Sequence, residues 1–91
     1  MGIAAADEAL KVVLVDDEAL LRSGLRLMLA NAGIEVVGEA SNGKDAIAAV
    51  LDALPDVVLM DIRMPVMDGI EALGKLPASI PVVMLTAFDT D

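Results

Sequence analysis

The chain has 91 residues with 15 acids against 6 bases, a net charge of −9, and 57% hydrophobic residues, which suits one small folded domain and excludes a disordered tail. That charge argues against direct contact with nucleic acid, whose phosphates reward Lys and Arg, and suits a cationic protein surface or a metal ion. Without Cys or His there is no disulfide, no thiolate or imidazole zinc site and no Ser-His-Asp triad.

Residues 1–10 read as a short leader, and they carry acids where a signal peptide would carry bases. No apolar run approaches the ~20 residues needed to span a bilayer, so a soluble, cytoplasmic domain over 11–91 is expected. "KVVLVDD" (11–17) is a β-branched run ending on acids, hence a first strand. "EALLRSGLRLMLANAG" (18–33) places Leu21, Leu25 and Met28 on one helical face, with Leu20, Gly24 and Leu27 beside them, and Asn31 and Gly33 punctuate its end. "IEVVGEA" (34–40) is a second strand, and Ser41 or Asn42 is placed to cap a helix over 44–54 with a stripe of Ile47, Val50, Leu51 and Leu54. Both apolar stripes are expected in the core. Pro55 stops that helix, "DVVLMD" (56–61) is a third strand, 62–69 a loop, "IEALGKL" (70–76) a short helix and "VVMLT" (82–86) a fourth strand.

Such alternation implies a parallel sheet with right-handed crossovers, and continuous apolar strands imply helices on both faces. The expected fold class is an α/β, open, doubly wound sandwich. In such a sheet, loops at the carboxyl ends of the strands form the functional crevice. Strand one ends on Asp16 and Asp17, and strand three ends on Asp61. If these strands are neighbours, three carboxylates converge, and their repulsion is relieved by a hard, oxygen-liganded cation, Mg²⁺ above all. A carboxylate beside Mg²⁺ can attack phosphorus to give an aspartyl phosphate. Thr86 ends strand four at the same edge, where its hydroxyl and the backbone N–H of the small Ala87 suit a phosphoryl group. Each feature also has a plainer reading. Asp16 or Asp17 can cap the following helix, Asp61 can form a turn, Asp68 can cap the short helix, Thr86 can be an ordinary polar strand end, and the Lys and Arg residues can be solvated surface.

The joint arrangement resembles the receiver domain of bacterial response regulators in two-component signalling. The matching stretches are "VLVDDEALLRSGLRLML", "VVGEASNGKDAI", "PDVVLMDIRMPVMDGIEAL" and "PVVMLTAF", within residues 11–88, and "EALLRSGLRLML", "EVVGEASNG" and "LTAFDTD" look most like the LuxR/NarL kind, whose output is a DNA-binding domain. The resemblance implies a flavodoxin-like sheet of order 2-1-3-4-5, with Asp61 as phosphoacceptor. It implies Asp17 and Asp16 as Mg²⁺ ligands with the backbone carbonyl of Arg63, Thr86 as switch hydroxyl and Ala87 N–H on the phosphoryl group. The implied partner is a sensor histidine kinase or a small acyl phosphate, and the implied activity is non-enzymatic beyond autophosphatase chemistry. The family pattern continues past "LTAFDTD" into a fifth strand that ends on a lysine, a role none of Lys11, Lys44 and Lys75 fills, so 11–91 reads as a C-terminally truncated receiver with impaired phosphorylation. Self-association through the strand-four edge, or the face the lost helices would cover, is expected. Two other readings compete. One is an aspartyl phosphohydrolase of the haloacid-dehalogenase type, disfavoured because Arg63 stands where those enzymes carry an acid. The other is a self-associating fragment without phosphotransfer.

Overall fold

The computed structural model of the chain describes residues 9–61 and 74–85. Its elements are β1 (Lys11–Val15), α1 (Ala19–Asn31), β2 (Glu35–Ala40), α2 (Gly43–Ala53), β3 (Val57–Asp61) and β4 (Val82–Leu85). All strand pairs are parallel, and the sheet order is β2-β1-β3-β4. The architecture is the expected open, parallel α/β sheet of flavodoxin-like order.

Composition explains which strands sit in the middle. β1 and β3 each have a strand on both sides, and their sequences "KVVLV" and "VVLMD" are the most continuously apolar of the sheet. Val12, Val13, Leu14, Val15, Val58 and Met60 are all at most 1% exposed, which at about 1.5–3 kcal/mol per buried side chain makes these two strands the main source of stability. β2 interleaves Glu35 and Glu39 with its valines and is only half-buried, as befits a strand with one neighbour among those described. A pair of short bonds also ties the strand starts together: Lys11 N–H donates to Asp56 Oδ2 and Asp56 N–H to the Lys11 carbonyl, each at 2.8 Å.

One irregularity sets side-chain direction. The β1–β2 register runs Val12↔Val36 and then Val13↔Gly38, so β2 carries one extra residue, Val37. Val37 packs on the core cluster of Val13, Val15, Val50, Val58 and Met60, and a Cβ on Gly38 would lie 3.4 Å from Val13 Cγ2 and 3.8 Å from Ala49 Cβ of α2. Both residues therefore face α2, and Glu39, in register with Leu14, faces α1.

The helices are positioned by their ends. Asn42 caps α2, its side-chain oxygen accepting from Asp45 N–H at 2.8 Å, and Leu54 closes it in the left-handed region at φ 49° before Pro55. Gly33 takes φ 84° after α1, where its N–H bonds the Ala30 carbonyl and Ile34 N–H bonds that of Leu29. Ala46 and Val50 of α2 are fully buried, with Ile47 packed against the core.

The expectation that both helical stripes are core needs correction. No residue of α1 is buried: Leu25 and Leu29 are half-buried, while Leu20 is 87%, Leu27 64% and Met28 66% exposed. In α2, Leu51 and Leu54 are exposed as well. The helical period identifies an apolar face but not what lies over it: α2 buries Ala46 and Val50 with Ile47, Ala49 and Ala53 packed on the core, while α1 buries no residue. Residues 74–76 form a turn where the end of a helix was expected, consistent with Gly74; positions 62–73 lie outside the described residues.

Removing the α2 cap isolates its contribution. Asn42→Ala should cost about 1 kcal/mol, a fall of roughly 4–8 °C in melting temperature, with Asn42→Ser close to the unsubstituted chain. Circular dichroism melting checks this, and equal melting of the Ala and Asn forms would contradict it.

Candidate functional site

β1 and β3 are adjacent and in register at Val15↔Met60. The next residue on each is an acid, so Asp16 and Asp61 leave the carboxyl edge of the sheet side by side. The structure thus brings together the three acids the sequence singled out: Asp16, Asp17 and Asp61 each offer a carboxylate oxygen, all within 4.8 Å of one another. Asp16 is 2% and Asp61 8% exposed, while Asp17 lies open to solvent.

Asp16 is held at three points. Its N–H donates to the Ala40 carbonyl at 3.0 Å, which extends the β1–β2 ladder by one step. Its Oδ1 accepts from Glu18 N–H at 2.8 Å. Its carbonyl accepts from Arg22 Nη1 at 2.5 Å. The plainer reading of Asp16 is therefore half right: it caps the turn into α1, whose own N-cap residue Glu18 makes no side-chain capping bond. That role occupies one oxygen. Oδ2 is buried and has no hydrogen-bond partner.

A buried carboxylate oxygen without a donor is costly, by about 1–3 kcal/mol or more when charged. Burial pushes the Asp16 carboxyl above the usual carboxylate range; the Glu18 N–H opposes this, the charges of Asp61 and Asp17 add to it, and the Arg22 guanidinium opposes it. A cation would satisfy the orphaned oxygen and offset the repulsion together. The donor set is all oxygen, and opposite ligands on Mg²⁺ stand about 4.2 Å apart, so the cluster fits a hard divalent ion.

Of the other residues proposed for the site, Arg63, Thr86 and Ala87 lie outside the described residues. Leu85, which precedes Thr86, is the register partner of Asp61.

The plainer reading of the bases as solvated surface fails for Arg22. Its side chain is 18% exposed, its Nε meets Glu39 Oε1 at 3.1 Å, and Arg26 Nη1 meets Glu39 Oε2 at 2.5 Å. The available signal was spacing. Arg22 and Arg26 are four apart on one helical face, and Glu39 is one residue from the end of β2.

A family model for the response regulator receiver domain matches residues 12–91. The response regulator protein VraR of Staphylococcus epidermidis is 45% identical over 87 residues, covering 91% of this chain and 42% of that protein. A protein-glutamate methylesterase/protein-glutamine glutaminase of Haloarcula marismortui is 43% identical over 82 residues, covering 88% of this chain and 22% of that protein. The crystal structure of the CheX-CheY-BeF3-Mg²⁺ complex from Borrelia burgdorferi superposes with a TM-score of 0.83 at 27% identity, covering 96% of this chain and 69% of that one. The chain spans less than half the length of these two curated relatives.

The buried acid makes a signed prediction. Neutralising it should stabilise the chain when no divalent ion is present: Asp16→Asn should gain about 1 kcal/mol near neutral pH. Because the folded-state pKa of Asp16 is raised, its destabilising effect is present above that pKa and fades as pH falls toward the ordinary carboxylate value of about 3.9. The melting-temperature gap between the two forms, measured with EDTA, should therefore narrow on acidification. A gap of zero at neutral pH would contradict the account.

Proposed function

The chain belongs to the response regulator receiver domain family, and on that premise we propose that it is the phosphoacceptor module of a two-component response regulator, taking a phosphoryl group from a sensor histidine kinase onto Asp61. The observation that carries this reading is the orphaned Oδ2 of Asp16 in a cluster with Asp17 and Asp61. Asp16, Asp17, Asp61 and the carbonyl of Arg63 are the groups that would hold Mg²⁺. When bound, the ion neutralises charge on the transferring group. The relative crystallised with BeF3 and Mg²⁺ supports that assignment by similarity.

The chain's own groups then divide the work. A carboxylate oxygen of Asp61 forms the new bond to phosphorus as the donor's N–P bond breaks, or its acyl O–P bond for a small acyl phosphate. A leaving imidazole takes its proton from water, whereas a carboxylate leaving group departs as the anion and needs none. Burial of Asp61 at the sheet edge keeps the nucleophile partly desolvated. The Thr86 hydroxyl and Ala87 N–H donate to the phosphoryl oxygens. Phosphorylation ends in a covalent signal rather than turnover, with hydrolysis of the acyl phosphate as the only catalysis. Arg63 offers no acid for a hydrolase.

The output is a separate matter. We assign a DNA-binding, transcriptional output of the LuxR/NarL kind on the sequence resemblance, and the methylesterase match marks the alternative. The site of action is the cytoplasm, where kinases draw on ATP. Among the described residues no helix is long and apolar enough to cross a membrane.

A second reading, self-association of this chain with or without phosphotransfer, is favoured by exposed Leu20, Leu27 and Met28 on α1 and by Val83, 48% exposed on β4. A groove of about 380 Å³ along α1, lined by Glu18, Leu20, Leu21, Gly24, Leu25 and Met28, adds to that surface.

Two measurements test these readings. Treatment with acetyl phosphate and Mg²⁺ should add one phosphoryl group, located at Asp61 by mass spectrometry after borohydride trapping, and both Asp61→Asn and EDTA should abolish it. Absence of label on the unsubstituted chain would defeat the phosphoacceptor reading. Sedimentation at high micromolar concentration should show dimers or larger species that Leu27→Glu disperses, and a monomer would defeat the second reading.

A further inference from the structure

We propose that Arg22 is a positioning residue for the metal site, holding the Asp16 carbonyl while Glu39, clamped in turn by Arg26, holds Arg22. This rests on the reading of Asp16, Asp17 and Asp61 as a cation site. The carbonyl of Asp16 belongs to the planar peptide that joins Asp16 to Asp17. A bond from Arg22 Nη1 at 2.5 Å to that oxygen fixes the plane, and with it the direction in which both carboxylates leave the backbone. The other two anchors of Asp16, to Ala40 and Glu18, fix the strand side and the side chain. The carbonyl bond fixes the peptide on the N-terminal side of the solvent-exposed Asp17, and the Glu18 N–H bond fixes the peptide on its other side.

The guanidinium fork is what the task needs. Nη1 reaches the end of β1 while Nε reaches Glu39 on β2 at 3.1 Å, two acceptors on two elements from one rigid plane. Glu39 has both oxygens engaged, the second by Arg26 Nη1, and is 27% exposed. Its charge also offsets the cation that Arg22 brings close to a cation site.

A charge and a positioning group have opposite signs in the test. If Arg22 acted only as a charge, its removal would tighten metal binding and the effect would shrink in high salt. If it positions the acids, removal weakens binding, by about tenfold for a group that orients ligands, and the loss persists in high salt. The experiment titrates the 91-residue chain with Mn²⁺ by EPR and follows the amide nitrogen of Asp17, at the far end of the held peptide, by NMR without metal. Arg22→Met should weaken Mn²⁺ binding about tenfold and move the Asp17 resonance, and Arg22→Lys should recover only part of both. Glu39→Ala should shift both in the same direction and add nothing in the Arg22→Met background. If Arg22→Met does not fold, Glu39→Ala carries the test through the Asp17 resonance and the persistence of the lost affinity in high salt, since Glu39 makes no bond to Asp16 and a pure charge effect would be screened. Equal or tighter Mn²⁺ binding by Arg22→Met, with Arg22→Lys like the unsubstituted chain, would overturn the proposal. So would a lowered melting temperature with Mn²⁺ affinity and the Asp17 resonance unmoved. Failure of the unsubstituted chain to bind Mn²⁺ would overturn the cation-site reading itself, and this inference with it.

Discussion

Everything at the functional edge depends on holding like charges together. Asp16 and Asp61 end neighbouring strands and are both buried, with carboxylate oxygens within 4.8 Å. At that separation and an effective dielectric of about 20, two unit charges repel by about 3–4 kcal/mol. The burial of Val12, Val13, Leu14, Val15, Val58 and Met60 outweighs that several times over, at about 1.5–3 kcal/mol each. The sheet is thus rigid where the chemistry needs an unfavourable arrangement, and the hydrophobic strands and the acids at their ends form a single design. Energy stored as repulsion in the acid cluster is what a cation can release.

The centre of the fold was legible for the same reason. β1 and β3 are continuous apolar runs ending in acids, and a run of that kind can be satisfied only between other strands with cover on both faces. A cap at Ser41 or Asn42, which the structure places on Asn42, and Gly33 as a helix stop were legible because each performs a local task that few residues can perform. The exposure of α1 was not legible, because a stripe of Leu and Met has the same period whatever covers it. Nor was Arg22. An arginine on a short stretch of helix looks like surface until the strand opposite is known to present Glu39. Roles assigned to Arg63, Thr86 and Ala87 depend on positions outside the described residues.

Relatives of different output share this segment at similar identity, a response regulator at 45% and a methylesterase at 43%. The similarity over this segment therefore does not by itself separate one kind of relative from the other. Among the described residues, the candidate site lies at one edge of the sheet: three acids and the arginine that bonds the Asp16 carbonyl. Asp16 is its hub, bonded to β2 through its N–H, to the α1 entry through Oδ1 and to α1 itself through its carbonyl.

The additional residue in β2 then takes on a meaning that packing alone would not give it. With Val37 present, the odd–even count along β2 is reset, and Glu39 emerges on the same side as Leu14. Were the strand regular, with Val37 paired to Val13, Glu39 would fall level with Val15 and point into the α2 core, and Arg22 would lose its carboxylate counterweight. A one-residue parity reset, well back from the sheet edge, decides whether the acids at that edge have a brace.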